Sequence, residues 1–217
     1  MGALFVTGAG TDIGKTYVTA LLARQARAAG RVVRVLKPVV SGVPRLDDPA
    51  FSDSDTARLL TAAGLPVDAA HVEACSPWRF AAPLAPDRAA ALEGRGLALA
   101  DIVAWCRARM GEAAAETVLI EAAGGLMSPL THDATGLDWL LALQCPAVLV
   151  AGSYLGAISH ALTAIDVIRA RGVPLRAVVV SESPDSVGLD ETIDALRRFG
   201  GGPAIVGLRR GETEISL

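Results

Sequence analysis

The sequence predicts a single α/β domain over residues 1–217, with an open, mostly parallel sheet covered by helices on both faces. Three observations lead there. Short apolar runs alternate with longer helical patterns along the chain. Two of those runs, "TVLIE" and "PAVLVAG", are almost wholly apolar, as parallel strands buried on both sides must be. The first run, "ALFVTG", passes through a glycine-rich turn straight into a helical pattern.

Taken in order, "ALFVTG" is the first strand and "GKTYVTALLARQARAAG" the first helix, which Gly30 is placed to terminate. "RVVRVLK" is the next strand, stopped by Pro38. "DTARLLTAAG" and "LADIVAWCRARMGEAAA" read as helices. The Pro-rich stretch between them, Ser76 to Pro86, is the least regular part and is expected to be a surface excursion. "TVLIE" and "PAVLVAG" follow as strands, "GAISHALTAIDVIRARG" as a helix and "LRAVVVS" as a strand. "LDETIDALRRFGG" is the last helix and "PAIVG" the last strand. No internal repeat, low-complexity tract or linker divides the chain.

Composition removes several function classes. The net charge is -3, aromatic residues are only 4%, and no Lys/Arg run occurs, so neither nucleic acid nor an anionic membrane is an expected partner. Cys75, Cys106 and Cys145 are odd in number and scattered, with no CxxC and no His at metal-ligand spacing. Reduced thiols in a cytoplasm are the simplest expectation. The N-terminal apolar stretch lacks a charged n-region and is too short for a signal sequence. No charged residue lies between Asp138 and Asp166, but Gln144, Pro146, Gly152, Ser153, Ser159 and His160 interrupt the stretch. It reads as a buried strand, a turn and a helix rather than a membrane span.

The chemistry is concentrated at the strand ends. "GAGTDIGKT" resembles a phosphate-binding loop in which five residues, not four, separate Gly8 from Gly14. Backbone N–H groups and the positive end of the following helix cradle phosphates in such a loop, giving a P-loop NTPase-type sheet. Lys15 would reach the β- and γ-phosphates and Thr16 would ligate Mg²⁺. Glu121 ends "TVLIE" at the carboxyl edge, where ligands bind in open α/β sheets; it reads as a metal acid or as a surface cap. Asp55, in "FSDSDTA", reads at least as readily as a helix N-cap. Lys37 follows a strand on the same side, as a second phosphate-facing cation or as a solvated lysine. His71, His132 and His160 are dispersed and no nucleophilic triad gathers, so covalent catalysis is not indicated.

These residues resemble one family, the dethiobiotin synthetases, nearly end to end. "FVTGAGTDIGKT" is similar to its longer loop, Gly-x5-Gly-Lys-Thr. "KPVVSG" is similar to its Lys-Pro-Val-x-(Ser/Thr)-Gly element and "SDSD" to its Ser-Asp. "VLIEAAGG" matches Val-Glu-Gly-Ala-Gly-Gly with Ala122 replacing a glycine. "APLAP" and "LGAISHALTAIDVI" match its Pro-rich substrate segment and its Leu-Gly-x-Ile-Asn-His stretch. The resemblance implies Mg²⁺ held by Thr16, Asp55 and Glu121, which makes Asp55 a ligand rather than a cap. It implies catalytic roles for Lys15 and Lys37, and substrate contacts from Thr11, Lys37 and Ser41. Nucleotide contacts are implied for Asp12, Ile13, Gly14, Lys15, Thr16 and Tyr17 in the loop, for Glu121, Ala122, Ala123 and Gly124 after the strand, and for Ser181 and Gly207 at the base. The implied reaction uses ATP, CO₂ or bicarbonate and 7,8-diaminononanoate, in a homodimer whose diamine site lies at the subunit interface.

Four further positions depart from the family pattern. Ser181 stands where Asn usually reads adenine, and "VGLRRGE" lacks the proline that flanks the base. Ser159 replaces Asn before His160, and Asp87 stands where His is common. The first two predict loosened base selectivity with the phosphate site intact. The alternative reading is a partition- or division-type ATPase switch. Such proteins carry an extra lysine early in the loop, where this chain has Ala9 and Gly10, and a basic surface or membrane-targeting helix. A cobyrinate-type amide synthetase would need a glutaminase domain, for which 217 residues leave no room. A mere nucleotide-binding regulator has little use for Lys37.

Overall fold

The computed structural model describes residues 2–112 and 116–217. Its main sheet has six strands in the order β2-β5-β1-β6-β7-β8, every described pairing parallel. These are β1 (Ala3–Gly8), β2 (Val33–Leu36), β5 (Thr117–Glu121), β6 (Ala147–Ala151), β7 (Leu175–Ser181) and β8 (Ala204–Leu208). All five residues of β5 and of β6 are buried, which is why their sequences show no polar alternation.

Successive strand residues feed two different layers. Phe5, Ile120 and Leu149 pack with α5 (Leu99–Met110), α6 (Gly136–Leu143), α7 (Ala157–Ala170) and α8 (Leu189–Phe199). Trp139 of α6, fully buried, meets Phe5 edge-on at 4.9 Å between ring centroids. Truncating such a side chain costs roughly 3–5 kcal/mol. On the opposite face, Val33, Val35 and Leu119 pack with α1 (Lys15–Ala28) and α2 (Asp55–Ala62). Val6 and Val150 pack with Val18 and Leu21 of α1, and Ile215 from the C-terminal segment closes that cluster.

The chain leaves β1 through α1 to β2 on one flank and later returns to β6 on the other, so β1 sits where the strand order reverses. Ligand crevices of open α/β sheets form there, beyond the carboxyl ends of the strands.

Several elements differ from the sequence expectation. The stretch from Ser76 to Pro86 is a surface excursion only in its second half, where Ala81, Pro83 and Leu84 are exposed; before it, Ser76 is fully buried and Phe80 1% exposed. Residues Trp78–Phe80 form β4, paired in parallel with β3 (Val39–Ser41) in a separate two-stranded sheet. The short helices α3 (Ala69–Cys75) and α4 (Pro86–Leu92) flank it. Helix α6 lies outside the helices that the sequence predicts. It is apolar nearly all round because it is buried, so it carries no amphipathic signature. The helix expected to run to residue 115 ends at Met110 on Gly111, and residues 113–115 lie outside those described.

Candidate active site

The turn after β1 brings the site together. Gly14 caps α1 with φ 90° and ψ 18°, a left-handed conformation that favours glycine. A Cβ there would also lie 2.6 Å from the Ser181 Oγ at the end of β7. Asp12 is left-handed too, with φ 54°. The loop is pinned from both sides: Ala9 N–H donates to the Val150 carbonyl at 2.8 Å, and Gly8 O accepts from Leu126 N–H at 2.7 Å. A Cβ on Gly125 would come within 3.3 Å of the Gly10 Cα, close enough that the loop would have to give by a few tenths of an ångström.

Lys15 is buried and folds back to donate to the Gly10 carbonyl at 2.9 Å. Burial lowers its pKa to about 8, although Glu121 pulls the other way and Lys37 adds to the depression. Thr16 Oγ1 donates to Glu121 Oε1 at 2.7 Å. Glu121 is fully buried, level with Val6 of β1 through the strand register.

Lys37, 5% exposed, lies just beyond β2. Its Nζ donates to Glu121 Oε1 at 2.6 Å and to the Asp55 carboxylate, and stands 3.4 Å from Thr16 Oγ1. Burial disfavours the charged ammonium, but Glu121 and Asp55 outweigh it and hold the pKa above the ordinary lysine value. Asp55 shows the converse balance: burial would raise it, and Lys37, followed by the Thr16 hydroxyl, holds it below the ordinary carboxylate range. The unforeseen segment explains how these groups meet. Lys37 N–H donates to the Cys75 carbonyl that ends α3, and Thr56 of α2 hydrogen-bonds Ser76 at 2.8 Å. The N-cap of α2 is Ser54, whose Oγ accepts from Ala57 N–H at 3.2 Å, so Asp55 is free of capping.

Glu121 Oε2 is buried without a hydrogen-bond partner. An unsatisfied buried carboxylate oxygen, the Asp55 carboxylate and the Thr16 hydroxyl form a hard-oxygen donor set. That set fits Mg²⁺, which takes one or two carboxylates and completes its shell with phosphate and water. The thiols of Cys75, Cys106 and Cys145 are pushed up by burial to about 11, about 12 and about 11, so none is a thiolate nucleophile.

Two connected clefts receive the side chains. One, of about 330 Å³, is lined by Thr11, Asp12, Gly14, Lys15, Thr16 and Tyr17, and across from them by Lys37, Ser41, Asp55, Glu121, Ala123 and Gly124. Val40 and Arg58 complete it, and Arg58 had drawn no attention in the sequence because a lone helical arginine looks like a solvated face. The second cleft, about 270 Å³, shares Asp12, Gly14 and Tyr17 and adds Ile13 and Ser181 with Glu182, Ser183 and Pro184. Its other wall is Arg209, Arg210 and Gly211. Two expected contacts are not at the surface of either cleft. Ala122 is fully buried in the core, and Gly207 lies within β8, where a Cβ would be 2.6 Å from Ile193 Cδ1. Arg209, Arg210 and Gly211, beyond the end of the strand, line the second cleft where Gly207 does not. His160 of α7 hydrogen-bonds Tyr154 Oη at 2.9 Å.

A family model described as an AAA domain matches residues 2–208. The ATP-dependent dethiobiotin synthetase of Methylobacterium nodulans is 64% identical over 203 residues, 93% of this chain and 90% of the relative. That of Caulobacter vibrioides strain NA1000 is 51% identical over 199 residues, 92% and 88% of the two chains. Among solved structures, the MinC:MinD cell division complex of Aquifex aeolicus aligns at TM-score 0.56 and 12% identity, covering 96% of this chain and 81% of that one. The signal recognition particle receptor FtsY of Elizabethkingia anophelis aligns at TM-score 0.53 and 17% identity, covering 100% and 60%. At such low identity these likenesses establish the sheet architecture alone. The matches to the synthetases span nearly the full length of both chains, and on them the chain belongs to the ATP-dependent dethiobiotin synthetase family.

Proposed function

We propose that this protein makes dethiobiotin from 7,8-diaminononanoate, CO₂ and ATP, releasing ADP and phosphate. The observation that carries the reading is Lys37, a second lysine buried beside Lys15 and bonded to both Glu121 and Asp55. A protein that only switches between nucleotide states has little use for it; a transfer between two anions needs both charges neutralised.

The chemistry follows from that need. One amine of the diamine adds to CO₂ and loses a proton, giving a carbamate. A carbamate oxygen attacks the γ-phosphorus of ATP, the bond to ADP breaks, and a carbamic-phosphoric anhydride results. The second amine attacks the anhydride carbonyl, and phosphate leaves as the ring closes. The protein positions the partners and neutralises charge, without a covalent nucleophile. Lys15 faces the β- and γ-phosphates and Lys37 the transferring phosphoryl and carbamate oxygens. Thr11 and Ser41 contact the diamine. Mg²⁺, held by Thr16, Asp55 and Glu121, supplies Lewis-acid neutralisation of the phosphate charge when bound. The nucleobase occupies the cleft between Ser181 and Arg210. The enzyme works as a cytoplasmic homodimer.

The test is mass-spectrometric detection of dethiobiotin after incubation with the diamine, bicarbonate, Mg²⁺ and ATP. Product that requires all four supports the reading. Phosphate release independent of the diamine, with no product, sinks it in favour of an ATPase switch.

A further inference from the structure

Lys15, Lys37 and Arg58 are the cationic side chains among the described residues lining the larger cleft. Lys37 is tied to two carboxylates. Lys15 donates to the Gly10 carbonyl. Arg58 is different. It lies three residues after Asp55, on the same side of α2, and its side chain is 60% exposed. Its ion pair to Asp53 is long at 3.7 Å, with Asp53 84% exposed. A pair so open to water contributes little and is readily given up. A guanidinium stays charged at any working pH and presents a planar fork of donors to two oxygens at once.

Position decides which oxygens. The base cleft joins the larger cleft through Asp12, Gly14 and Tyr17, and Arg58 lines only the larger one, with Val40, Ser41 and Asp55. A nucleotide entering from the Ser181 side therefore passes Lys15 before it nears Arg58. We propose that Arg58 leaves Asp53 when substrates bind and contacts the oxyanion at the reacting end, the γ-phosphoryl group or the carbamate it joins. The proposal rests on the synthetase reading for its acceptor and on the cleft geometry for its nucleotide contact.

Arg58→Ala and Arg58→Lys are compared with wild type by calorimetric titration with ADP and with a non-hydrolysable ATP analogue, each with Mg²⁺, and by steady-state kinetics. In the alanine variant kcat/KM falls roughly tenfold to a hundredfold, with thermal stability unchanged and ADP affinity within about twofold of wild type. Lysine restores part of the loss. A loss of analogue affinity assigns the γ-phosphoryl group; unchanged analogue affinity with a raised KM for bicarbonate or diamine assigns the carbamate. Wild-type kcat/KM in the alanine variant, or equal loss of ADP and analogue affinity, overturns the proposal. If wild type makes no dethiobiotin, the synthetase reading fails, while selective loss of analogue over ADP affinity still supports the phosphoryl contact.

Discussion

At Lys37 two forces act on one ammonium: burial disfavours its charge, and two carboxylates demand it. Removing it strands Glu121 in a dry site, yet leaves the phosphate loop intact. We expect Lys37→Ala to lower turnover on the order of a hundredfold, while ATP affinity measured by titration changes less than about tenfold. Wild-type turnover would reduce Lys37 to a structural counter-ion. For Glu121→Gln we expect the gain in ATP affinity on adding Mg²⁺ to shrink about tenfold; an undiminished gain would remove Glu121 from the metal site. Lys15 carries a pH signature. Its pKa falls from 10.5 unfolded to about 8 folded. Between those values the unfolded chain holds a proton the folded one has released, so this group adds stability as pH rises, up to roughly 3 kcal/mol. Chemical unfolding at pH 7.5 and 9.5 should show about 2 kcal/mol of that increment in wild type and lose it in Lys15→Met. An increment that survives the substitution assigns it to other groups.

The elements were legible in proportion to their length and burial pattern. Strands β1, β5, β6 and β7 stand out because continuous apolar runs are what two-sided burial requires. β3 and β4 have three residues each, too few for any period, yet with α3 they seat Lys37 and Asp55. The site divides the same way. Lys15, Thr16, Lys37 and Glu121 sit at strand and loop ends where pattern and chemistry coincide. Arg209, Arg210 and Gly211 follow a strand end, and no residue type marks them as a cleft wall. The end of β7 carries a prediction of its own. Ser181 presents a hydroxyl that both donates and accepts, and it lies against Gly14 rather than reaching across the cleft. We expect turnover with CTP and GTP within about tenfold of that with ATP, since a lone hydroxyl discriminates weakly. Exclusive use of ATP would refute this.

For the whole molecule, the sheet order puts β1 at the reversal point, so one crevice receives the loop, the lysines and both carboxylates. No described helix is long and apolar enough to cross a membrane. Light scattering at micromolar concentration should report twice the 22.3 kDa chain mass if the proposed homodimer forms; a monomer during turnover would exclude an interfacial diamine site. The approach of Gly125 to Gly10 carries a different lesson. The lengthened loop does not stand alone as a cassette. A backbone from a distant part of the chain comes close to it, so a transplanted loop would also depend on how much room its new neighbour leaves. Here the spacing between two glycines in one turn is a statement about the neighbour that must make room.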